Sequence, residues 1–181
     1  MPNADAQIDS LLRELREARG RAEAIFNGRK PAELLQQPEA KRWSAAQCVE
    51  HLNLTNRAYL PRLSEAIRLL REKNQVSRGS FRRDWNARLL KYWLEPPSRL
   101  RLPTGAAFQP VSPRDPATVL SAFQSIGQKL EEELAAARTL ALDAERIRSP
   151  FAENMKYNVY SAFTLIAAHN RRHLWQAGNA L

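Results

Sequence analysis

Val159-Tyr160-Ser161-Ala162-Phe163-Thr164-Leu165-Ile166-Ala167-Ala168-His169-Asn170-Arg171-Arg172-His173-Leu174-Trp175-Gln176-Ala177 is the stretch on which the reading of this chain turns. Val159, Ala162, Phe163, Ile166, Leu174 and Ala177 recur at helical spacing, and Asn158 in front of them is a good N-cap. On that helix His169 and His173 are about 40° apart, so both rings leave one face, on the side of Ala162 and Ile166. This is the spacing with which one helix offers two imidazoles to one metal ion. The chain holds 3 histidines. The third, His51, lies in another helical stretch far upstream, and the three can meet only if those two helices are neighbours.

Working outward, three further long helices are legible. One runs from about Asp5 to Phe26, with Ile8, Leu11, Leu12, Leu15, Ala18, Ala22, Ile25 and Phe26 as its stripe and Asn27-Gly28 as its stop. A short helical turn is expected around Leu34-Leu35. The next long helix opens at Ser44, where Ser44 and Gln47 make a capping box, and carries Ala45, Cys48, Val49, Leu52, Tyr59, Leu63, Ile67 and Leu70. His51 falls one position off that stripe, at its rim, beside Cys48 and Thr55. Pro61 predicts a bend. Asp115-Pro116 starts a third long helix with Val119, Leu120, Phe123, Ile126, Leu130, Leu134 and Ala137.

The segments between are less regular. Ser80 to Leu94 reads as an extra short helix with Phe81, Trp85, Leu89, Tyr92 and Trp93 as its apolar members, stopped by Glu95-Pro96-Pro97. The proline-rich run through Pro103, Pro110 and Pro113 suits a long crossover connection better than a tight turn. Thr139 to Tyr157 reads as a polar connection, and no strand pattern is evident. The periodicities give an all-α four-helix bundle, one domain over 1–181, without fixing its handedness or packing order.

Composition bounds the remainder. Of 181 residues 44% are hydrophobic and 26% charged, which excludes gross disorder. The single cysteine, Cys48, allows no internal disulfide and suits a reducing compartment. The N-terminus lacks the marks of a signal peptide and no apolar run is long enough to span a bilayer, so a cytoplasmic protein without a membrane partner is expected. The formal net charge is +9. Much of the excess lies in Arg68, Arg71, Lys73, Arg78, Arg82, Arg83, Arg88, Lys91, Arg99 and Arg101 against Glu72, Asp84 and Glu95. No nucleic-acid-reading motif accompanies it, and it reads as a solvated Arg-rich surface.

Trp43-Ser44 followed by Glu50-His51-Leu52, with the later Ala168-His169-Asn170-Arg171-Arg172-His173-Leu174-Trp175-Gln176, resembles the DinB/YfiT-like superfamily. Leu94-Glu95-Pro96-Pro97 and the run from Pro103 to Phe108-Gln109-Pro110 are similar to the proline-rich connection of one DinB-like branch. The resemblance implies up-down-down-up topology, a homodimer, and a divalent metal, nickel or zinc, on three histidines matched here by His51, His169 and His173. Characterised relatives include metal-dependent transferases that use a low-molecular-weight thiol, and hydrolase-like members acting on small molecules. It therefore implies a three-His site acting on a small electrophilic substrate. The alternative is a non-catalytic bundle, binding a small molecule, protein or nucleic acid, with the histidines vestigial or simply core residues. No catalytic residue beyond the ligands is assigned. Cys48, Thr55, Ala162, Ile166 and Arg172 are candidate pocket residues. For Cys48 the competing reading is a small buried hydrophobe; for Arg171 and Arg172 it is an ion pair at the surface.

Overall fold

A computed structural model describes residues 3–97, 104–110, 115–152 and 154–181. Arg99, Arg101, Pro103 and Pro113 fall outside them. The elements are α1 (Ala4–Phe26), α2 (Pro31–Leu35), α3 (Ala45–Glu72), α4 (Trp85–Leu94), a 3-10 turn (Ala106–Phe108), α5 (Pro116–Ala136), β1 (Arg146–Arg148), β2 (Lys156–Asn158) and α6 (Val159–Gly178).

The helix starts are set by the side chains the sequence supplies. Ser44 accepts a hydrogen bond from the Gln47 amide while the Gln47 side chain accepts one from the Ser44 amide. Asp115 caps α5 through the Thr118 amide with Pro116 behind it, and Asn158 caps α6 through the Ser161 amide. Each of these bonds satisfies an amide that the first turn of a helix leaves without an intrahelical partner. Helix α3 runs on through Pro61 to Glu72.

Side-chain contacts fix the order of the bundle. Asp9 meets Arg138 and Arg16 meets Glu131, so α1 and α5 are antiparallel. Asn53 reaches the Val119 carbonyl and Ser64 reaches Glu133, so α3 and α5 are parallel. Asn56 meets Asn170 and Tyr59 meets Tyr157, so α3 and α6 are antiparallel. The result is up-down-down-up. A parallel α3–α5 pair requires a connection running the length of the bundle, and this explains the long excursion through α4 and the 3-10 turn.

One expectation is corrected. The stretch read as a polar connection between Thr139 and Tyr157 contains a small antiparallel hairpin, with Arg146 opposite Asn158, Ile147 opposite Tyr157 and Arg148 opposite Lys156. Helix α4 buries Ala87 and Leu94, while Trp85, Leu89, Tyr92 and Trp93 face outward and Phe81 is buried just before the helix. Helix α4 therefore turns most of its bulky residues to the surface.

The apolar core has two parts. One contains Ile8 to Leu15 of α1, Tyr59 to Leu70 of α3, Ile126 to Leu134 of α5 and Val159 to Ala168 of α6. The other contains Ala18 to Phe26, Ala45 to Leu52, Val119, Phe123, Leu174 and Ala177. Between them lie the buried polar side chains Glu50, His51, Asn53, Thr55, Asn56, Asn170, Arg172 and His173. Such a layer lowers the apolar burial of the bundle, and its members must find partners inside it. Among the described residues of the basic stretch, Arg68 pairs with Glu65 and Glu72, Lys73 with Glu145, and Lys91 with Glu95. No helix among the described residues is long and apolar enough to cross a membrane.

Candidate metal centre

The polar layer brings the three histidines together. His51 comes from the second turn of α3, and His169 and His173 from consecutive turns of α6. Their ring centroids are separated by 5.1 Å (His51–His169), 4.4 Å (His51–His173) and 4.5 Å (His169–His173). One nitrogen from each lies within 4.8 Å of the others, and among the described residues this is the group of histidine, cysteine and carboxylate side chains placed to hold an ion. His51 is 3% exposed and His173 7%, so His51 is buried beside its apolar stripe and away from solvent.

The ring of His51 is oriented by the backbone. Its Nδ1 lies 2.7 Å from the carbonyl oxygen of Phe108, in the 3-10 turn of the crossover connection. A carbonyl only accepts, so Nδ1 donates and Nε2 keeps its lone pair. That Nε2 lies 3.3 Å from Nε2 of His169. Nδ1 of His173 is buried without a hydrogen-bond partner. The free lone pair of His51 and the unpartnered ring nitrogen of His173 are donor atoms of the kind a divalent ion takes, so the residues present fit such an ion.

Electrostatics favour the same state. Burial pulls the pKa of His51 below its ordinary value, against the raising effect of the Phe108 carbonyl. Burial, then His51 and Arg172, hold His169 well below it. Burial holds His173 well below too, helped by His169, His51 and Arg172 and opposed by Gln176. Neutral imidazole is the form that ligates a metal. Aromatic rings surround the group: Trp43 packs 4.8 Å from His51 and 5.9 Å from His173, and Phe151 packs 5.7 Å from His169.

The sequence model of the DinB superfamily matches residues 14–177. This chain belongs to the DinB superfamily. No curated protein and no solved structure matches it.

In this DinB-superfamily bundle the other candidate pocket residues have separate surroundings. Cys48 lies in the apolar cluster with Ala18, Ala22 and Leu174, and burial pushes its thiol pKa up to about 12, so it stays protonated and packs as a small hydrophobe. The Thr55 hydroxyl donates to the Leu52 carbonyl at 3.1 Å. Ala162 and Ile166 lie in the larger apolar cluster. Arg172 is 5% exposed and donates to the Trp93 carbonyl at 3.0 Å, and burial lowers its pKa. Arg171 faces away and pairs with Glu14 and Glu95. Sequence reasoning missed Phe108 and Phe151. Phe108 contributes through a backbone atom, which no residue type encodes, and Phe151 sits in a loop whose only visible signal is the turn at Ser149-Pro150.

Proposed function

We propose that His51, His169 and His173 hold one divalent ion, nickel or zinc, and that the protein transfers a low-molecular-weight thiol to a small electrophilic substrate or hydrolyses such a substrate. The observation that carries this reading is the convergence of three neutral imidazoles within 4.8 Å, in a chain of the DinB superfamily. An ion on three imidazoles keeps positions open and lowers the pKa of a water or thiol held there, giving a nucleophile at neutral pH.

The chain's own residues prepare that site. The Phe108 carbonyl fixes the tautomer and direction of the His51 ring. The two apolar clusters flank the polar layer that carries the histidines. Arg172, held against the Trp93 carbonyl, places a buried positive charge near His169 and His173, which disfavours their protonation and favours an anionic nucleophile beside them. The exposed stripe Trp85, Leu89, Tyr92 and Trp93 on α4 is the surface through which a homodimer would form.

The test is turnover by zinc- or nickel-loaded protein of an epoxide or unsaturated carbonyl compound with a low-molecular-weight thiol, and of an activated ester with water. Ion-dependent turnover, lost in His173→Ala with the circular dichroism spectrum retained, is the expected result. Equal rates for the folded variant and the parent would overturn it.

A further inference from the structure

The histidine centre is walled by aromatic side chains on the side of the β1–β2 loop. The ring of Phe151 lies 5.7 Å from His169, 4.8 Å from Phe108 and 6.0 Å from Tyr59, yet Phe151 is 45% exposed. One face of the ring is thus against the site and the rest is against solvent. The backbone beneath it is tied down. The Phe151 amide donates to the Ser149 hydroxyl at 3.2 Å, and the Ser149 amide donates to the Met155 carbonyl at 2.8 Å. These bonds place the Cα of Phe151 so that its ring reaches His169. On the other side of the group Trp43 covers His51 and His173.

We propose that Phe151 and Phe108 form the selective wall of this site, so that the preferred substrate carries a flat apolar group next to the atom that meets the histidines. The inference rests on the reading that the three histidines hold an ion. A flat group stacks, offset or edge-on, on the paired phenylalanine rings while its polar end reaches His169. A small polar molecule reaches the histidines without that contact. Phe108 links the two roles, since its carbonyl orients His51 while its ring meets Phe151.

Two hydroxamates that share a chelating group test it. Acetohydroxamate and benzohydroxamate are titrated into zinc-loaded protein and into Phe151→Ala. One aromatic contact changes an equilibrium constant by about two- to tenfold, which sets the expected size of the effect. Benzohydroxamate binds the parent tighter by that factor, and the preference collapses in Phe151→Ala. Equal affinities in the parent, or a preference unchanged in the variant, would overturn the wall. Ion-free protein gives an arm independent of the metal, since diethyl pyrocarbonate should modify His169 faster in Phe151→Ala than in the parent. Equal modification rates would also overturn the wall. Failure of both folded proteins to take up zinc, with the difference in modification rate intact, would instead overturn the metal reading.

Discussion

Nδ1 of His51 on α3 donates a 2.7 Å hydrogen bond to the carbonyl of Phe108, 57 residues further along the chain. This bond joins a bundle helix to the crossover connection and decides which nitrogen of His51 faces the other two histidines. In ion-free protein at neutral pH, His51 should therefore be the Nδ1–H tautomer. Long-range proton–nitrogen correlation on histidine-labelled protein reads this directly, and an Nε2–H signal for His51 would contradict it.

The pH dependence of ion-free protein follows from the same burial. All three histidines have folded pKa values below the ordinary 6.5. The unfolded chain then binds more protons than the folded one between those lowered values and 6.5. Stability is complete above that upper limit and falls as pH drops through it toward the folded pKa values. The melting temperature should fall on acidification below about 6.5, and the fall should be smaller in His51→Gln/His169→Gln/His173→Gln. A triple variant with the parent's acid profile would show that other groups carry it.

Asn158 ties the start of α6 to the segment ahead of α4 through three hydrogen bonds. Its Oδ1 caps α6 through the Ser161 amide, its Nδ2 donates to the Arg82 carbonyl at 2.8 Å, and its amide donates to Asp84 at 2.6 Å. Asn158→Ala should cost about 2 kcal/mol in urea unfolding, the sum of a lost cap and a carbonyl left without its donor. Asn158→Asp keeps the cap and should recover part of it. A cost within about 0.5 kcal/mol of zero would contradict this role.

Tyr59 and Tyr157 share a buried 2.5 Å hydroxyl–hydroxyl bond. Burial raises both pKa values, so both stay protonated at neutral pH. Ser149 is a second polar neighbour of Tyr157. Tyr157→Phe should therefore destabilise more than Tyr59→Phe, each by about 1–3 kcal/mol, and the double variant by less than their sum. Additive effects would show that the pair is not coupled.

The long helices and their caps were legible because each rests on local chemistry. Ser44 with Gln47, Asp115 with Pro116, and Asn158 signal helix starts without knowledge of the rest of the fold. The i, i+4 pair His169 and His173 announced a shared face for the same reason. The hairpin was not legible, because strands of 3 residues are too short to show an alternation. Which side of α4 meets the bundle was not legible, because apolar residues lie on more than one of its faces; Ala87 and Leu94 are the buried ones. His51, at the edge of its stripe, is buried where a polar layer divides the core. The Phe108 carbonyl could only be found once the crossover connection was placed.

The most direct test of the account is elemental analysis of untagged protein, purified without chelator and exposed to nickel or zinc, beside His169→Ala. The account predicts about one ion per chain in the parent and loss of that ion in the variant, with both proteins folded. A folded parent that takes up no ion, or a variant that retains the full amount, would contradict it.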